Sequence, residues 1–189
     1  MATIARRFWY TMTDSRKRRS PMGKNPNWHP RDYQSIDELK AELDRIESSH
    51  LAGTLKTSGN WSAGKIFDHC SKPMKLAFDG FFDEDGKPIK FPFYIRFFGV
   101  FLLKPMLGRS HMKPGIKLPA AASSMLPAED CTFEQGIGAL REQLARIDQG
   151  ETMTSKSPLL GNMSHKQWVL MHLDHCRMHF GFIQMEESE

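Results

Sequence analysis

His175 and His179 stand four residues apart near the C-terminal end of the chain, a spacing that puts both imidazoles on one helix face with Cβ atoms about 6 Å apart. Two ring nitrogens so placed can reach one divalent cation, but two ligands do not complete a site. A facing helix must supply the third, and His69 is the candidate because it falls inside an earlier amphipathic stretch rather than in a loop. Three neutral imidazoles leave the charge of a dication uncompensated and at least one coordination position open. That is the arrangement of a catalytic rather than a structural centre.

Density strengthens the pair. Four of the eight histidines fall between Ser164 and Gln184, and a step of 100° per residue places His165, His172, His175 and His179 within a sector of roughly 80°. A single buried histidine is usually a hydrogen-bonded core residue, but several on one inward face would each need a buried partner and would repel when protonated. His172, three residues before His175, competes for a ligand position, and Cys176, four after His172, offers a rival His/Cys pair suited to softer metals. Cys70 and Cys176 read more simply as small core residues. Trp61 and Trp168 precede His69 and His175 by eight and seven residues, so they serve either as core plugs or as walls of an apolar pocket. Asp68 and Asp174 are each rotated about 100° from the neighbouring histidine and read as surface charges. His165, in the first turn of its helix, reads as exposed. His29, His50 and His111 have no partner at ligand spacing.

The elements that must position these groups are helices. Ser35 and Glu38 form a capping box before Ile36, Leu39, Leu43 and Ile46, which predicts a helix to about Ser49. A second helix starts at Ser62, carries Ile66, His69 and Cys70, is kinked at Pro73, and stops at Asp79-Gly80. Residues 83–90 read as a loop. Phe91 to Leu107 is apolar and reads as helix or strand, and 108–131, rich in proline and glycine, reads as a long connection over the surface. Thr132 with Gln135 and Ser164 with Gln167 open two further helices, the first running through Ile137, Leu140, Leu144 and Ile147 to Gly150. The expected fold is all-α, a helical bundle.

Composition bounds the function. A chain of 189 residues, 40% apolar, suits one core. No run of about 18 uncharged apolar residues occurs, since Phe91 to Leu107 holds Arg96, Lys104, Pro92 and Pro105, so a membrane span is not expected. Paired Arg6 and Arg7 are followed by no apolar core or cleavage site, which disfavours secretion. Cys70, Cys131 and Cys176 fit neither a disulfide framework nor a CxxC zinc site, and point to a reducing cytoplasm. The formal charge of +4 resides in residues 1–32, whose eight Lys/Arg and two Asp give +6 and leave −2 for the rest. Those residues form an expected basic, flexible extension ahead of a domain at 33–189. The run Arg16-Lys17-Arg18-Arg19 is the one nucleic-acid signal, and no stacking platform or groove-reading helix accompanies it.

The stretch from Asn60 through Trp61, Ser62, Gly64, Ile66 and His69 resembles the W-S-x-G-x-I-x-x-H element of DinB-like proteins. His175 to Gly181 resembles their terminal HxxxH-x-G element. The resemblance covers residues 35–185. It implies an up-down-down-up four-helix bundle, commonly dimeric, to which this chain adds a long insertion, 91–131, between the second and third main helices. It also implies a three-histidine site for zinc, nickel or a similar ion, carried over to His69, His175 and His179. Family members with known activity include S-transferases and isomerases that use low-molecular-weight thiols. This chain has Phe182 where their HRGQ ending has Gln, and the final helix can also be aligned on His172 and Cys176. The resulting expectation is a metal-dependent transferase or hydrolase acting on a small molecule. The other reading is a non-catalytic bundle, metal-stabilised or ligand-binding, that works as a sensor or interaction module.

Overall fold

The computed structural model describes residues 27–29, 31–83, 85–108, 112–115 and 120–185. Arg16 to Arg19 and His111 lie outside these residues. Five α-helices and one small sheet account for the regular structure described, so the chain is mainly helical. In chain order these are α1 (Ile36–Leu51), β1 (Leu55–Thr57), α2 (Ala63–Asp79), α3 (Phe93–Phe98), α4 (Phe133–Asp148), α5 (His165–Phe180) and β2 (Ile183–Met185).

Local chemistry sets the helix starts. The hydroxyls of Ser35, Ser62, Thr132 and Ser164 each accept the backbone N–H three residues on. At α4 and α5 the reciprocal bonds from Gln135 and Gln167 complete both capping boxes. The box expected at α1 is half formed, because Glu38 accepts the N–H of Gln34 at 2.6 Å instead of that of Ser35. Helix α2 continues through Pro73 to Asp79, and Gly80 stops it at φ 109°, which favours glycine.

The four long helices share one core. Helix α2 packs along α4 and touches α5, and α1 touches both α4 and α5. Leu39, Leu43 and Ile46 of α1 meet Phe67 and Met74 of α2, Leu140 and Leu144 of α4, and Trp168 and Phe180 of α5, all buried. Helices α2 and α4 come close enough that a Cβ on Gly64 would sit 2.2 Å from the Thr132 carbonyl oxygen. A Cβ on Gly136 would sit 2.1 Å from the Gly64 oxygen.

The short sheet was not legible from alternation. β1 and β2 pair antiparallel, Lys56 opposite Gln184, and clip the α1–α2 connection to the chain beyond α5. Residues assigned in part to the expected extension also belong to the packed body. Trp28 Nε1 donates to the Met178 carbonyl at 2.8 Å, the His29 N–H to Gly181, and Arg31 Nη2 to Ile183 at 2.6 Å.

Of residues 91–107, open between helix and strand, 93–106 are helical: α3 passes into a π-helical turn at Gly99–Leu103 and a 3₁₀ turn at Lys104–Met106. The stretch 108–131 does more than cross the surface. Its 3₁₀ turn at Ala120–Met125 buries Ala122 and Met125 with Ile89 and Phe91 in a second, smaller apolar cluster.

Candidate metal centre

Helix α2 brings His69, and one face of α5 brings His175 and His179, to a single point. One ring nitrogen from each lies within 4.8 Å of the other two. The ring centroids are 4.9 Å apart for His69 and His175, and 4.6 Å for the other two pairs. No other His, Cys, Asp or Glu group among the described residues makes such a cluster. The fold brings together His175 and His179, singled out by spacing, and His69, singled out by its place in an amphipathic helix.

Each ligand has identifiable support. Nδ1 of His69 lies 2.6 Å from the Met125 carbonyl, which can only accept, so the proton is on Nδ1 and Nε2 is the free ligand atom. Trp61 stacks on His179 with centroids 5.6 Å apart and leans on His69 at 4.9 Å, holding two rings at once. Nδ1 of His175 is buried with no protein partner among the described residues. Burial lowers the pKa of all three. His179 falls to about 3, first through desolvation and then through His69. His175 lies well below the usual range for the same reason, with His179, His69 and His172 adding to it. His69 is lowered by burial against the opposing effect of the Met125 carbonyl. Neutral imidazole is the metal-ligating form, so the set fits a divalent cation.

The competitors are placed elsewhere. His172 is fully buried and stacks on Trp168 at 5.5 Å, and neither of its nitrogens has a protein partner among the described residues. Cys176 turns into the core beside Cys70, whose thiol burial pushes up in pKa. Asp68 makes an ion pair with Lys72 at 2.9 Å and accepts the Ala128 N–H at 2.7 Å. Asp174 corrects the expectation of a surface charge. It is buried, pairs with buried Arg177 at 2.5 Å, and accepts the Gly108 N–H at 3.2 Å. Arg177 in turn donates to the Tyr33 carbonyl at 2.5 Å, so this pair ties two chain segments to α5, one at Gly108 and one at Tyr33. His165 is half-buried rather than exposed and accepts the Met153 N–H at 3.1 Å.

His172 is therefore open to a direct test. His172→Leu removes two buried nitrogens that no protein group satisfies, and we expect a stability gain of about 1–3 kcal/mol near neutral pH. Burial holds the His172 pKa at about 3. The unfolded chain takes up a proton near 6.5 that the folded chain refuses, so stability falls as pH drops from 6.5 towards 3. The advantage of the leucine variant should grow by about 2 kcal/mol between pH 7.5 and pH 5, read from urea midpoints. Bound metal should be unchanged. Loss of metal in this variant would make His172 a ligand.

Above the triad lies a cavity of about 920 Å³. Both tryptophans line it, Trp61 beside the ligands and Trp168 with its indole N–H on the Ser155 carbonyl at 3.2 Å. Phe91, residues 112–115, Met125 and Leu126 supply another wall, so the 91–131 segment covers the pocket. The lining holds no Asp or Glu among the described residues.

Fold and site thus define a class of protein: a mainly helical chain with a three-histidine candidate metal centre at the floor of an apolar cavity. The chain belongs to the family of proteins of unknown function DUF1569, whose sequence model matches residues 28–186. No curated protein and no solved structure matches the chain.

Proposed function

We propose that this protein is a metal-dependent enzyme of DinB-like type, an up-down-down-up four-helix bundle in which His69, His175 and His179 hold zinc or nickel. The observation that carries the reading is that the triad opens onto the cavity instead of being sealed in the core. Structural ions are enclosed by their ligands, whereas a reaction centre keeps a position that a small molecule can reach. A cation bound there supplies Lewis acidity, lowering the pKa of a water or thiol so that the nucleophile is available near neutral pH.

The chain's own residues do the positioning. The Met125 carbonyl keeps the His69 proton on Nδ1, Trp61 holds the rings of His69 and His179, and the apolar walls receive an apolar substrate. Among the described residues the lining carries no carboxylate to act as general base on water. Transfer from a low-molecular-weight thiol to an apolar electrophile is preferred to hydrolysis on the DinB-like resemblance, and the apolar lining suits such a substrate. The free cysteines suit a reducing cytoplasm, and a homodimer remains part of the same reading.

Metal analysis of protein purified without a chelator or an affinity tag tests the proposal. We expect about one equivalent of divalent metal in the wild type and none in His175→Ala. Metal-free wild type, or equal metal in both, would sink it.

A further inference from the structure

Between Asp85 and Glu129 the chain carries Lys87, Lys90, Arg96, Lys104, Arg109, Lys113 and Lys117 and not one acidic residue. Inside this stretch, residues 93–106 run as one helical path through α3, the π-helical turn and the 3₁₀ turn. The path meets the protein body through its backbone: a Cβ on buried Gly99 would fall 2.3 Å from the Leu159 carbonyl oxygen. Ile95 and Leu103 also pack against the body, while the aromatic side chains of the path point away from it. Phe93 is 80% exposed, Phe97 54% and Phe101 62%, and Tyr94, Phe98, Leu102 and Met106 are exposed with them. The rings of Phe97 and Phe101 touch along this face with centroids 4.5 Å apart.

A contiguous apolar face of this kind marks a partner, and the charge around it says which. Lys90, Arg96 and Lys113 are exposed and make no ion pair among the described residues. A second copy of the chain docked about a twofold axis would bring identical cations together with no acidic group of the segment to offset them. An anionic bilayer offers what the face lacks, negative headgroups for the cations and an acyl boundary for the aromatic rings.

We propose that residues 93–106 seat this protein on an anionic lipid surface, with Phe93, Phe97 and Phe101 in the interface and Lys90 and Arg96 among the headgroups. The face is separate in space from the metal centre, although Phe91 and residues 112–115 of the same cationic stretch line the cavity.

Sedimentation of the full chain with phosphatidylcholine vesicles, with and without phosphatidylglycerol, tests the proposal. The wild type should pellet with the anionic vesicles, weakly with the neutral ones, and less as salt rises. Phe97→Ser/Phe101→Ser should lower partitioning roughly tenfold or more with an unchanged circular dichroism spectrum and thermal midpoint. Lys90→Glu/Arg96→Glu should lower it on anionic vesicles alone. Three outcomes overturn the proposal: no vesicle binding by the wild type; equal binding by the Phe variant, which assigns the affinity to the basic N-terminal residues; or no vesicle binding together with a dimer that the Phe variant splits, which assigns the face to a second copy.

Discussion

Addition of zinc to the chelated wild-type protein should raise its thermal midpoint by several degrees, and the same addition to His69→Ala, His175→Ala or His179→Ala should leave it unchanged. An ion that binds only the folded chain stabilises it by mass action, about 4 kcal/mol at a thousandfold excess over the dissociation constant. For a domain of this size that corresponds to roughly 10 °C. Loss of an outer partner of a ligand costs about 10–100-fold in metal affinity, and loss of the ligand itself costs more. The chelated wild type should remain folded, because the site residues are held by protein contacts: His69 by the Met125 carbonyl, His179 by Trp61. Unfolding on chelation would instead make the ion structural and favour the non-catalytic reading. A zinc response that survives any one of the alanine substitutions would remove that residue from the site.

Gly64→Ala should cost about 3 kcal/mol or more of stability, and Gly136→Ala a similar amount, measured by urea unfolding. Added methyl groups in a packed interior cost about 1–3 kcal/mol when side chains can shift to make room. Here they cannot. The three atoms nearest the new Cβ of Gly64 are Thr132 O, Thr132 C and Phe133 N, at 2.2, 2.6 and 2.9 Å. For Gly136 they are the O, C and Cα of Gly64, at 2.1, 2.8 and 2.9 Å. All are backbone, so α2 and α4 must separate. Because α2 carries His69 one and a half turns after Gly64, the separation also moves a ligand away from α5, and zinc affinity should fall with stability. Wild-type stability in either variant would mean that the crossing is looser than these distances show.

The helices were legible where local chemistry decides them. Thr132 with Gln135 and Ser164 with Gln167 fix two helix starts within a few residues, and the apolar periodicity that follows identifies the faces turned to the core. His175 and His179 were legible as a pair because 3.6 residues per turn is enough to place them together, and His69 because it shares a helix with buried Ile66 and Cys70. Asp174 was misread, because one helix wheel assumes one buried side. α5 is covered on further sides, by Gly108 and by Tyr33, and both reach the Asp174–Arg177 pair. The Met125 carbonyl was out of reach for another reason: a backbone oxygen carries no residue identity, and it meets His69 across 56 positions of chain. The segment 93–106 stayed ambiguous because most of its apolar residues do not face the core, so core-seeking periodicity had little to register.

The hydrogen bond from His69 to Met125 ties a metal ligand to the segment that roofs the cavity. Thermodynamic reciprocity then applies. Whatever tightens occupancy at Nε2 of His69 must stabilise the roof by the same free energy as the roof, once seated, lends to that occupancy. A bilayer that immobilised residues 93–106 would act on the same chain segment. Occupancy of the triad and seating of the protein on a surface would then bear on one another through the segment that also bonds α2 at Leu126 and Ala128.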